Sequence, residues 1–128
     1  MKQKVGVVGN QHGWTYSNVK EVLEALEIDH EATIISGGAD GVDTFAQIYA
    51  KEKGCTIIIH YPKPHEPSPD RYFNRNKQIA LECDFLIAFD KKSGAAGTKN
   101  TIACAKKANK AIFLYKCEDD IKSVTKRK

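Results

Sequence analysis

The chain has 128 residues, 41% of them hydrophobic and 28% charged, which is enough for a single domain with its own core. Its net charge of +4 is only mildly basic and does not by itself indicate a nucleic-acid partner. No apolar run reaches 18 residues, and the N-terminal apolar run is too short for a signal peptide. We therefore expect a cytoplasmic protein that has no membrane partner.

The four cysteines argue against a disulfide scaffold and against a zinc site. Cys55, Cys83, Cys104 and Cys117 form no CxxC pair, and no histidine lies at ligand spacing from them. We therefore expect reduced thiols, no metal and no cofactor.

Short β-rich runs alternate with helical patterns along the first half of the chain. The helical patterns place apolar residues at i, i+3, i+4 and i+7, and glycines stop the strands and helices. The predicted elements are a strand at 4–9, a helix around 19–26, a strand at 32–36, a helix from Val42 to Gly54 and a strand at 55–61.

The second half opens with a loop at 62–70 that holds all four prolines of the protein, and proline suits neither a helix interior nor a central strand. Asp70 is predicted to cap the helix that follows. The remaining predicted elements are this helix to about Cys83, a strand at 84–89, a helix from Thr98 to about Asn109 and a strand at 111–115.

Strands that are apolar on both faces, each followed by a helix, predict a parallel sheet covered on both sides. The expected fold is a Rossmann-like α/β domain, a three-layer αβα sandwich with a mostly parallel five-stranded sheet. It occupies residues 1–116, and 117–128 form a polar C-terminal tail. The pattern leaves the order of the strands open.

Two glycine-rich loops lie where a strand ends and a helix begins, at Ser36–Gly41 and at Ser93–Thr98. A helix N-terminus offers unpaired N–H groups to an anion, and small residues let a phosphate approach the backbone. A tight turn that needs positive φ explains either loop equally well taken alone. Two such loops at one edge of a sheet favour a phosphate or nucleotide site.

Polar residues elsewhere at this edge are further candidates for ligand contact. Gly9 and Asn10 follow the first strand, and the Arg75 guanidinium suits a bidentate contact with phosphate. Asp43 can serve the ligand or simply favour the helix dipole, and Asp90 is placed to touch a ribose hydroxyl.

Three segments carry a resemblance to a known family: "SGGADGVDTFAQIYAKEKG", "RNKQIALECDFLIAF" and "GAAGTKNTIACAKKANKAIFLY". Together they resemble the SLOG superfamily, which includes the DNA-processing protein A domain and the "lonely guy" nucleotide phosphoribohydrolases. The closest resemblance is to the small YspA-like proteins. It covers roughly residues 4–115.

The resemblance implies a ligand site and a homodimer. The implied ligand-binding residues, with the neighbouring residues of the same loops, are Gly9, Asn10, Ser36, Gly37, Gly38, Gly41, Asp43, Arg75, Asn76, Ser93, Gly94, Gly97 and Thr98. Where the phosphoribohydrolases carry a catalytic glutamate this chain has Thr101, and where their motif begins with proline it has Ser93.

Three functions follow, in descending order of expectation. The first is binding of a nucleotide or nucleotide-derived phosphate ligand, as a sensor or sequestering domain. The second is hydrolysis of a nucleotide, with Asp43 as the candidate for the missing carboxylate. The third is single-stranded DNA binding, for which the slight charge excess gives little support.

Overall fold

The computed structural model of the protein describes residues 2–117, which form a five-stranded parallel sheet flanked by four helices. The strands are β1 Lys4–Gly9, β2 Thr33–Ser36, β3 Thr56–Ile59, β4 Phe85–Lys91 and β5 Ala111–Cys117. The helices are α1 Tyr16–Ala25, α2 Val42–Lys53, α3 Asp70–Glu82 and α4 Ala96–Lys107. The predicted Rossmann-like α/β fold is confirmed. Cys117 ends β5, and the rest of the predicted tail lies outside the described residues.

The strand order is β3-β2-β1-β4-β5, and every neighbouring pair is parallel. The central strand β1 alternates between the two faces of the sheet. Val5 and Val7 pack on the side of α1 and α2, whereas Val8 packs on the side of α3 and α4. The sheet is therefore the middle layer between two separate apolar cores.

Local chemistry fixes where the helices of the first half begin and end. Thr15 caps α1, because its hydroxyl accepts from Asn18 N at 3.1 Å while Asn18 Oδ1 accepts from Thr15 N at 3.2 Å. Gly54 ends α2 in the left-handed conformation, as predicted.

Two helix starts differ from the prediction. Asp70 is the first residue of α3 rather than its cap, and Pro69, which has no N–H to leave unpaired, occupies the cap position. α4 begins at Ala96, two residues earlier than predicted, because the extended backbone ends at Ala95. Gly97 and Thr98 therefore lie in the first turn of α4.

The edge strands are more exposed than their apolar sequences indicated. Half of the residues of β3 are exposed, and Phe113 and Leu114 of β5 keep 39% and 44% of their surface accessible. Burial on both faces was the wrong expectation for these two strands, since the helices cover the centre of the sheet more completely than its edges. None of the helices within residues 2–117 is long and apolar enough to cross a membrane.

Candidate functional site

A crevice of about 210 Å³ opens at the carboxyl ends of the strands, beside β1. In the sheet, β2 lies on one side of β1 and β4 lies on the other. The chain therefore continues to opposite sides of β1, and the loops that follow β1 and β4 diverge at this point. Such a switch point is where parallel α/β sheets bind ligands. Eight of the predicted site residues line the crevice: Gly9, Asn10, Gly37, Asp43, Arg75, Asn76, Gly97 and Thr98.

The other five predicted residues are not among those that line the crevice. The Ser36 hydroxyl donates to the Val7 carbonyl at 2.8 Å, inside the sheet. Gly38, Gly41 and Gly94 have positive φ, so for them the turn explanation holds. Ser93 also lies outside the lining of the crevice.

Six further lining residues were missed from the sequence: Val8, Gln11, Ala39, Ile79, Ala95 and Thr101. Val8 and Ile79 belong to the apolar core, so their hydrophobic pattern gave no sign of ligand contact. Thr101 was named only because it stands where the phosphoribohydrolases carry a catalytic glutamate. It follows Gly97 by one helical turn, a spacing that places both on one helix face.

Asp43 is the most unusual polar group of the crevice. Its carboxylate is 5% exposed, Oδ2 accepts from Ala39 N at 3.1 Å, and buried Oδ1 has no partner among the described residues. The neighbouring Ser36 hydroxyl gives its only proton to Val7. Burial raises the pKa of Asp43 to about 6, although hydrogen bonds and the charge of Arg75 oppose the increase.

Arg75 and Asn76 tie the crevice walls together. Arg75 Nη1 donates to the carbonyls of Gly37 and, at 3.4 Å, His60, while Nε donates to Asn76 Oδ1 at 2.8 Å. Asn76 Nδ2 in turn donates to Asn100 Oδ1 at 3.1 Å, on α4. This pair of residues therefore connects the first glycine loop to α4 through α3.

Arg75→Ala is expected to lower the free energy of unfolding by about 1–3 kcal/mol even without ligand, because two main-chain carbonyls and Asn76 lose a charged donor. Lys77→Ala is the matched control, since Lys77 lies exposed on the same helix. Urea denaturation followed by circular dichroism measures both variants. Equal stability of the two variants would contradict a clamping role for Arg75.

Asp90 organises the second glycine loop and is not among the residues that line the crevice. Its Oδ1 accepts from Lys91 N at 2.8 Å and from Ala95 N at 2.9 Å. With the Asn10 amide oriented to donate, the same oxygen also accepts from Asn10 at 3.2 Å. Asp90 is thus occupied with the backbone of the loop, which differs from the expected contact with a ribose.

The N-terminus of α4 is open toward the crevice. Ala95, in the cap position, makes no side-chain cap, and the first N–H groups of a helix lack partners within the helix. A Cβ placed on Gly97 would meet nothing within 4 Å, so the fold does not need glycine there. A carboxylate lies at the start of both helices. At α2, Val42 N donates to Asn10 O and Asp43 occupies the first turn. At α4, Asp90 accepts from the N–H of the cap residue Ala95, so the groups left for an anion are the N–H groups of the first turn, beside Gly97.

Metal ligation has no obvious place in residues 2–117, where no three His, Cys, Asp or Glu side chains are grouped to hold an ion. No disulfide joins the four cysteines, all of which lie within the described residues.

Three solved structures show the same fold at low sequence identity. DNA processing protein A (DprA) from Streptococcus pneumoniae aligns over 88% of this chain, with a TM-score of 0.73 and 24% identity. The molybdenum cofactor carrier protein MCP from Chlamydomonas reinhardtii covers 89% with a TM-score of 0.63 and 22% identity. The protein TM1055 covers 86% with a TM-score of 0.61 and 17% identity.

The alignments cover 50% of DprA, 76% of MCP and 72% of TM1055, so this chain spans about half the length of DprA. No protein-family model and no curated protein matches the sequence. The class of protein is therefore defined by its fold, a Rossmann-like domain. At 17–24% identity the three structures show the fold alone, and the SLOG superfamily remains what the three motifs resemble. The YspA-like group stays a prediction.

Proposed function

We propose that the crevice binds a nucleotide or a nucleotide-derived ligand, with its phosphate at the N-terminus of α4. The observation that carries the proposal is Gly97, which lines the crevice, lies in the first turn of α4 and faces open space. Buried, unpartnered Asp43 Oδ1 in the same crevice is a second group that the fold itself leaves unsatisfied. One neighbour, MCP, is by name a carrier of a cofactor, which is in line with a domain that holds a small molecule.

Binding is favoured over hydrolysis by what Thr101 does. Its hydroxyl donates to the Gly97 carbonyl at 3.0 Å, so it satisfies the backbone of α4 and offers no carboxylate to activate water. Hydrolysis remains the second candidate because Asp43, with a pKa of about 6, is suited to accept a proton near neutral pH. Chromatography of AMP incubated with the protein decides between them, since only a hydrolase releases adenine or phosphate.

Gly97→Ala tests the phosphate position. We expect at least a tenfold loss of affinity for AMP, about 1.4 kcal/mol, because the added methyl group keeps the phosphate from the backbone. The folded protein should lose no stability and gain up to about 1 kcal/mol, since alanine is the better helix former. Isothermal titration calorimetry and thermal melting measure the two effects.

Ala96→Ser is the matched control for Gly97→Ala. It also adds one heavy atom to the first turn of α4, but Ala96 is not among the lining residues. Ala96→Ser should bind AMP as the parent does. Unchanged AMP affinity in Gly97→Ala would place the phosphate elsewhere.

We further propose a reduced cytoplasmic setting and a homodimer. Four cysteines that form no disulfide within residues 2–117 support the first. Exposed Tyr72, Phe73 and Leu81 on α3 provide apolar surface for the second, and light scattering measures the mass. The mild charge excess gives nucleic acid no comparable support.

A further inference from the structure

We infer that the ligand donates a hydrogen bond, from a hydroxyl or amino group remote from its phosphate, to Oδ1 of Asp43. The inference rests on the proposed function and adds to it the chemistry of the second half of the ligand. The crevice would then recognise two features at once, an anion at α4 and a hydrogen-bond donor at the start of α2.

The unpartnered oxygen is the first observation. A carboxylate oxygen buried without a donor is unfavourable, and buried polar groups in folded proteins are normally paired. Asp43 is 5% exposed, so water reaches it poorly. A ligand donor is the simplest partner for an acceptor that lines a ligand-sized opening.

Two of the donors around Asp43 are already engaged, and a third, the Gly37 N–H, is near enough to lower the pKa of Asp43 but does not bond to Oδ1. The Ala39 N–H is bonded to Oδ2, and the Ser36 hydroxyl is bonded to the Val7 carbonyl. Arg75 is near enough to influence Asp43, yet its Nη1 donates to the carbonyls of Gly37 and His60. Because Oδ1 is buried, a ligand that bonds to it must displace some of the atoms that cover this oxygen.

The geometry also separates the two ends of the ligand. A carboxylate repels phosphate, so the phosphate and Asp43 cannot share one position. Gly37 lies between Asp43 and Arg75, where a Cβ would come within 3.0 Å of Oδ2 and 2.5 Å of Arg75 Nη1. Glycine at this position therefore makes room for the Arg75 guanidinium and the Asp43 carboxylate to lie against the first glycine loop. In a nucleotide, the groups that fit are the ribose hydroxyls and an exocyclic amino group of the base.

Calorimetry with three probes tests the inference and identifies the source of the donor. AMP carries both kinds of donor, 2′,3′-dideoxy-AMP lacks the ribose hydroxyls, and IMP has a carbonyl in place of the amino group. We expect the parent protein to bind one of the two analogues at least tenfold more weakly than AMP. Loss with the dideoxy compound assigns the ribose, and loss with IMP assigns the base.

Two variants show whether Asp43 is responsible. Asp43→Asn replaces the acceptor by an amide and should reduce the discrimination between AMP and the weaker analogue to less than threefold. Asp40→Asn is the matched control, because exposed Asp40 lies in the same loop, outside the crevice, and bonds to Gln11. It should discriminate as the parent does.

Each contrary result has a separate meaning. Equal binding of all three probes by the parent overturns the inference and leaves the proposed function intact. Undiminished discrimination in Asp43→Asn also overturns it. Failure of every probe to bind the parent overturns the proposed function, and the inference with it.

Discussion

Gly41→Ala is expected to lower the free energy of unfolding by about 3–5 kcal/mol, since two unfavourable effects add. Gly41 has φ +80° and ψ −127°, a backbone conformation almost restricted to glycine. A Cβ there would also lie against the carbonyl oxygen of Gln11 and 2.7 Å from that of Asn10. These atoms belong to the backbone and cannot rotate away.

Gly54→Ala is the control that separates strain from contact. Gly54 has nearly the same φ, +79°, but ψ is 22° and the nearest atom to an added Cβ is His30 Cβ at 3.8 Å. Gly54→Ala is expected to lower the free energy of unfolding by only about 1–2 kcal/mol, from the left-handed conformation alone. Guanidinium denaturation measures both variants. If both variants lost the same free energy of unfolding, the Gln11 and Asn10 carbonyls would be able to move away from the Cβ added at Gly41.

Asp43→Asn is expected to stabilise the unliganded protein by about 3 kcal/mol at pH 8. The folded pKa of about 6 lies above the ordinary value of 3.8, so the folded state disfavours the charged form. Above pH 6 the carboxylate is ionised in both states and the full burial penalty applies. The penalty falls as pH decreases through 6, and the advantage of asparagine vanishes near pH 4.

Denaturation curves at pH 8, 6 and 4 measure this dependence. The control is again Asp40→Asn. Because the Asp40 carboxylate is exposed, this variant should differ little from the parent in free energy of unfolding, and the difference should not increase between pH 4 and pH 8. A less stable Asp43→Asn protein at pH 8 would show that the fold needs the charge, for example beside Arg75. A more stable variant that has lost nucleotide discrimination would mark Asp43 as a residue held for binding at the expense of stability.

Most of the fold was predictable because strong local signals agree with it. The apolar runs at 4–9 and 84–89 are long enough for central strands, and Gly54 fixes a helix end by its conformation. The order of the strands was not predictable, since an alternation of strands and helices does not say on which side of β1 the chain continues. The exposure of β3 and β5 depends on that order.

The site was predictable in position but less so in detail. The fold requires glycine at Gly41 because of its backbone conformation, whereas at Gly97 it does not require glycine. Both look the same in the sequence. Asp90 was a candidate for contact with a ribose because it ends a strand, whereas its Oδ1 accepts from the N–H groups of Lys91 and Ala95. The two carboxylates differ in their hydrogen-bond partners, and only the structure gives those partners.

The pairing of β1 with β4 has a consequence for how the protein folds. It joins segments far apart in the chain, as when Lys4 N–H donates to the Asp84 carboxylate, 80 residues away, and Asn10 N–H donates to Phe89 O. Closing so long a loop is entropically unfavourable and slow compared with pairing strands that are neighbours in sequence. The crevice exists only after this closure. A ligand that spans α2 and α4 would therefore hold together the two halves of the chain, and its binding energy would oppose unfolding of the entire sheet.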